Sequence, residues 1–235
     1  TTWTSTVPGL STSAKMRFLT YLDFALFLNG VDSSQAWSGT GAWVTSGGNL
    51  DVGNMPLLSS AVVFNGRLFG IGNTTNPSTV YKSSIVSGGS ISWTSGNGTV
   101  LVKPQDGAGG LTAITSTGSS LLLWKERAMY RYDDNSLVFI SPIGCPTQEA
   151  VVTDDQGTVY FFGQAGTSVG IYATQGGYAK KISRPIQKWI DAISASSYSN
   201  ICAYASQNKV VWAVGSTTVD GTTYAATQLA WNVSD

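Results

Sequence analysis

"FNGRLFGIGNTTNPSTVYKSS", residues 64–84, decides the fold. Asn65-Gly66 stands between the apolar runs "SSAVVF" and "RLFGIG". Asn-Gly accepts the positive φ angles of a type I′ turn, so the two runs form a hairpin. A polar loop holding Asn76-Pro77 follows, and "TVYKSSIV" is a third strand. The same layout returns four times. "KMRFLTYLDFALFLNG" breaks near Leu22-Asp23, "LTAITSTGSSLLLWKE" turns at Thr117-Gly118, "EAVVTDDQGTVYFFGQ" turns over Asp154 to Gly157, and "ICAYASQNKVVWAVGS" turns at Gln207-Asn208. Aligned on Leu26, Phe69, Leu123, Tyr160 and Val211, the copies are 43, 54, 37 and 51 residues apart.

Strand repeats of roughly 40–50 residues indicate propeller blades. Third strands follow as "SQAWSG", "TVYKSSIV", "RAMYRYDD", "VGIYATQG" and "TTYAATQLAW", and fourth strands as "GAWVTSG", "TVLVKPQ", "SLVFISP" and "YAKKIS". The fifth copy runs out after three strands, while "TTWTSTV" at the N-terminus is a spare one. The expectation is therefore an all-β chain forming one β-propeller domain of five four-stranded blades. The blades cover roughly 8–55, 56–107, 108–145, 146–195 and 196–235, and residues 1–7 close the last one so that no edge stays open. A two-sheet sandwich also yields many short strands; the regular repeat favours the propeller.

One segment departs from the β pattern. In "SRPIQKWIDAI", Ile186, Trp189, Ile190 and Ile193 fall at i, i+3, i+4 and i+7, one face of a helix. A short helix is expected near 184–193, between the fourth and fifth blades, with Ser183 as its cap and Pro185 in its first turn.

Composition narrows the function classes. The 235 residues carry zero formal charge, 11 % charged residues and no histidine, with 42 % apolar residues sufficient for a core. Without histidine the usual general base, zinc ligand and Ser/His/Asp triad are gone. Balanced charge argues against a dedicated nucleic-acid binder. No apolar run nears the roughly 20 residues of a membrane helix, and no signal peptide is visible. The chain begins at Thr1, as a processed product or a part of a longer protein would. Cys145 and Cys202 lack metal-ligand spacing and read as buried free thiols.

The acidic residues sit mostly in turn contexts, such as Asp133-Asp134-Asn135 and Asp154-Asp155-Gln156-Gly157, where side chain to backbone bonds build turns. The spaced ligands of a calcium loop are missing. Gly-rich runs such as Ser87 to Ser90 and Ala108 to Gly110 open no helix and match no phosphate-binding fingerprint. N-x-[ST] matches at Asn73, Asn97 and Asn232 matter only in a secreted protein. Most of the eight Trp read as core or blade-edge fillers; the alternative is a platform for stacking sugars. The most uneven charge feature is "KKISRPIQKW", where Lys180, Lys181, Arg184 and Lys188 cluster. It is either a solvated face or a contact for an acidic neighbour or DNA phosphate. "WKERAMYR" holds a smaller group, Lys125, Arg127 and Arg131.

Three runs carry a family resemblance: "NGRLFGIGNTTNPSTVYKSS", "SLLLWKERAMYRYDD" and "GCPTQEAVVTDDQGTVYFFGQAGTSVGIYATQGGYAKKISRPIQKWIDAI". In this order they resemble structural proteins of tailed bacteriophages, over about residues 60–215. Related propellers occur in the tail and neck of short-tailed phages, as nozzle and packaged-DNA-stabilisation proteins. Those relatives usually carry added domains or long helices, and this sequence has little beyond the propeller.

The resemblance implies a virion component of the tail or head-to-tail connector, assembled in the host cytoplasm, non-enzymatic and without a cofactor or metal. Its partners would be other virion proteins and further copies of itself in a ring, through loops and the Lys180, Lys181, Arg184 and Lys188 segment. That segment could also meet DNA or a host glycan. The alternative is a lectin-like propeller used for host-surface recognition. A glycosidase or lyase ranks last, because no carboxylate pair stands out.

Overall fold

A computed structural model describes residues 10–233. The chain divides at Pro104/Gln105 into two compact units. Two antiparallel sheets lie in the first unit and three in the second. In chain order they are the blades of a five-bladed β-propeller, as the repeat implied.

In the first unit, β1 (Arg17–Tyr21), β2 (Phe24–Leu28) and β3 (Gln35–Trp37) form one sheet. The β1–β2 turn has Leu22 and Asp23 at φ 49° and 63°. Where "GAWVTSG" was expected to supply a fourth strand, the structure has a single bridge, Ala36 to Val44. Glycines at 39, 41, 47 and 48, all with positive φ, break the extended run.

The second sheet is complete: β4 (Ser60–Phe64), β5 (Arg67–Ile71), β6 (Thr79–Lys82) and β7 (Gly98–Leu101), in that order. Asn65 and Gly66 have φ 47° and 67°, the I′ geometry that Asn-Gly tolerates. Leu26, Leu28, Leu58, Leu68, Ile91 and Trp93 share the core of this unit. Asp51 holds the long β6–β7 connection in place by accepting the Trp93 backbone N–H at 2.8 Å.

The second unit opens with β8 (Leu111–Thr117), β9 (Ser120–Lys125), β10 (Met129–Tyr132) and β11 (Leu137–Ser141). The β8–β9 turn falls on Gly118-Ser119, one residue beyond the expected Thr117-Gly118. The next sheet is β12 (Val151–Thr153), β13 (Val159–Ala165), β14 (Ser168–Thr174) and β15 (Lys180–Lys181). A two-pronged bond joins these sheets. Gln148 accepts the Ile114 N–H through Oε1 at 2.8 Å and donates Nε2 to the Ile114 carbonyl at 3.0 Å. The amide side chain thus imitates a neighbouring strand. Trp124, Phe161, Tyr172 and Trp212 belong to the continuous core beneath.

After a 3-10 turn at Arg184–Ile186 comes the expected helix, α1 (Gln187–Asp191). Ile190 and Ile193 are buried, and Ile186 and Trp189 pack half-buried against the same core. Ser183 does not cap this segment. Its hydroxyl instead accepts the Ile171 N–H at 3.1 Å, because Ser183 is buried against β14.

The last sheet is β16 (Cys202–Ser206), β17 (Lys209–Val219) and β18 (Thr222–Asn232). The strand expected from residues 1–7 to complete it lies outside the described residues. β17 and β18 run on to an Asp220-Gly221 turn with φ 52° and 77°, which makes a hairpin longer than the repeat required.

Candidate functional site

The basic segment is where sequence and structure meet most closely. β15 follows a turn through Gly176 and Gly177, and the chain then bends into the 3-10 turn that starts at Arg184. This path gathers Lys180, Lys181 and Arg184 around one hollow of about 520 Å³. Pro142 and Ile143, after β11, supply its apolar wall. Tyr172 and Tyr178 supply its aromatic surface.

The two tyrosines differ. Tyr172 is buried and stacked on Phe161, with ring centroids 5.5 Å apart and planes 21° apart. Burial pushes its phenol pKa up, and the nearby Tyr178 phenol adds to the effect. Tyr178 is 78 % exposed and lines the same hollow. Lys181 donates to Ser168 Oγ at 3.1 Å, which steers its ammonium along the sheet. No carboxylate among the described residues pairs with Lys180, Lys181 or Arg184, and none lines the hollow. Three cations on an apolar and aromatic wall attract an anion that also presents a hydrophobic face.

Lys188 is not part of this group. It sits one turn further on, in α1, and pairs with Asp220 at the tip of the β17–β18 hairpin at 2.5 Å. Both side chains are well exposed, so the pair adds little stability. Sequence spacing placed four cations together; the structure brings three to the hollow and turns the fourth toward the hairpin.

A second hollow of about 410 Å³ lies between α1 and β18, lined by Ile186, Trp189, Tyr224 and Leu229. Trp189 and Tyr224 pack with centroids 5.0 Å apart. No sequence motif marks it, although Asp220-Gly221 between Thr/Val-rich runs is the signal for the hairpin that builds its wall.

The smaller "WKERAMYR" group serves a different purpose. Lys125 is fully buried and donates Nζ to Asp106 at 2.9 Å. The Tyr130 hydroxyl donates to the other oxygen of Asp106. Burial pushes the Asp106 pKa up, but the bonds from Tyr130, the Ala108 N–H and Lys125 outweigh it, and the net displacement is downward. Arg131 donates to the Gly176 carbonyl at 3.2 Å and ties β10 to the turn beside the first hollow.

The tryptophans divide as well. Trp93, Trp124 and Trp212 are core residues, as expected. Trp37, on the edge strand β3, stacks on Trp43 nearer the surface, with centroids 5.9 Å and planes 29° apart. Asp133 and Asp154 build turns: each accepts two backbone N–H groups through Oδ1. Both cysteines are free. Cys145 is buried, but Cys202 is exposed at the start of the edge strand β16, which corrects the expectation of two buried thiols. Among the described residues no group of three or more Cys, Asp or Glu is placed to hold a metal, and no helix is long and apolar enough to cross a membrane.

No family model and no curated protein matches the chain. Among solved structures it is similar to the computationally designed Ika8 protein, with a TM-score of 0.50 and 11 % identity over 94 % of this chain and 59 % of that one. This chain therefore spans about three-fifths of that chain's length. At such identity the likeness speaks to the fold alone.

Proposed function

We propose that the chain is a structural protein of a tailed-phage virion, a rigid propeller that works in the tail or head-to-tail connector by holding neighbours rather than by catalysis. One observation carries this reading: the residues of the resembling motifs hold strands together. Asn65 and Gly66 form a hairpin turn, Lys125 and Tyr130 meet on Asp106, and Arg131 anchors a neighbouring turn. Such motifs encode a scaffold, which is what a virion part requires. Its partners are other virion proteins and further copies of the chain.

Two measurements test the proposal. Light scattering of the purified chain should give a discrete multiple of the single-chain mass. Mass spectrometry of particles from the culture that expresses it should find it at several copies per particle. A monomer absent from particles would overturn the reading.

A second reading, glycan binding for host-surface recognition, is favoured by the hollow beside Lys180. A concave site with an exposed tyrosine suits a small ring-shaped ligand better than a flat protein surface. The two readings are compatible within one particle.

A further inference from the structure

We infer that the hollow bounded by Tyr178, Lys180, Lys181 and Arg184 is a subsite for an acidic saccharide, a sugar unit bearing a carboxylate. The inference rests on the glycan-binding reading and names the ligand class.

Three features of the hollow converge on this chemistry. The first is charge. Lys180, Lys181 and Arg184 all reach the hollow and no carboxylate of the described residues neutralises them. The chain as a whole is neutral, so this is a local concentration of positive charge rather than a general basic surface. Arg offers a planar fork matched to a carboxylate, and Lys180 offers a mobile ammonium beside it.

The second is the apolar and aromatic share of the wall. Tyr178 is 78 % exposed and Tyr172 is fixed by its stack on Phe161. A pyranose presents a C–H face to an aromatic ring and hydroxyls to its rim, and tyrosine serves both. Free phosphate would gain nothing from Ile143, Pro142 and the exposed ring.

The third is shape. The hollow of about 520 Å³ is the size of a small-ligand site and holds a short oligosaccharide. Duplex DNA is instead bound along a stripe of cations that follows its phosphates. Here Lys188, which would extend such a stripe, faces Asp220 and does not line the hollow.

The test is an amide-resolved NMR titration with four probes: trigalacturonate, its neutral methyl ester, sialyllactose, and a short DNA duplex. The expected result is that an acidic sugar shifts the amides of residues 143 and 172–184, with a dissociation constant of about 1 mM or tighter. The neutral ester binds at least about tenfold more weakly, and added salt weakens the acidic sugar. Arg184→Gln and Lys180→Gln each lower affinity for the acidic sugar about tenfold, a loss typical of a charge-assisted hydrogen bond. They lower the weak neutral binding by a smaller factor. Tyr178→Ala weakens both, and Lys188→Gln weakens neither. All four side chains are exposed, so these changes remove no core packing.

Equal binding of neutral and acidic sugars at these amides would overturn the acidic preference and leave the glycan reading standing. Tighter binding of the duplex at the same amides would overturn the proposal in favour of phosphate. No shift with any saccharide at about 10 mM would overturn both the proposal and the glycan reading.

Discussion

Asp106 accepts from Lys125 and from Tyr130 at once, and the pair it forms with Lys125 is buried on the lysine side. Removing the carboxylate breaks an ion pair to a buried ammonium and the bond from Tyr130, so Asp106→Ala should destabilise the protein by about 3 kcal/mol in urea melts at neutral pH. The pH dependence has a definite sign. The Asp106 pKa is lowered in the folded state, so its contribution is full above the ordinary value near 4 and is lost as pH falls through the folded one. The gap between wild type and Asp106→Ala should therefore narrow in acid; a gap that holds constant down to pH ~3 would refute the assignment. Gly144 is a second sensitive residue. A Cβ there would lie 2.0 Å from the Glu126 carbonyl carbon and oxygen. Backbone cannot yield as a side chain tip does, so Gly144→Ala should cost about 3 kcal/mol, read as a lowered urea midpoint. Neither residue was legible beforehand. The Asp106 bonds span 19 and 24 residues, and the Gly144 contact crosses between a loop and the end of β9. The turn-building roles of Asp133 and Asp154 were legible, because those bonds close within four residues.

Hairpins were the easiest elements to foresee. Their signal is local: alternating apolar runs around residues that tolerate positive φ, as at Asn65-Gly66; Leu22 takes φ 49° without such tolerance, and only the break in the apolar run marks that turn. Outer strands were harder, because an edge strand needs little pattern of its own. "YAKKIS" yields two paired residues, and "GAWVTSG" yields one bridge. Ser183 shows how an element ends in this fold. Its hydroxyl replaces a strand partner for the Ile171 N–H, and Ser83 does the same for the Leu68 N–H at 3.0 Å. Both serines are buried. Ser83→Ala or Ser183→Ala leaves a buried N–H unpaired, and each should lower stability by about 2 kcal/mol in chemical denaturation. Loss of under a few tenths would mean that the backbone finds another acceptor. The candidate site was half legible at this scale. Spacing revealed the four cations of 180–188, but a bend at the 3-10 turn decides which of them share a hollow, and chain spacing carries no record of that bend.

Across the whole chain, the repeat was the dominant signal. It gave five strand sets in five stretches because each sheet is a local meander that leaves little trace of distant pairing. Hydrogen exchange should mirror the burial within these sheets. β9 and the first five residues of β13 are buried throughout, so their amides should exchange slowest, and those of β1 and β16 much faster. Fast exchange in β9 would contradict the core described for the second unit.

The two thiols have a practical consequence at this scale. Cys202 is open to solvent, whereas Cys145 is buried, and burial pushes its thiol pKa up to about 12. A thiol in that state hardly forms the thiolate that alkylating reagents attack. A dye would thus attach at one position under native conditions without any engineered cysteine. The second position would react only when the surrounding core opens, so the delay between the two labelling events is a built-in stopwatch for unfolding.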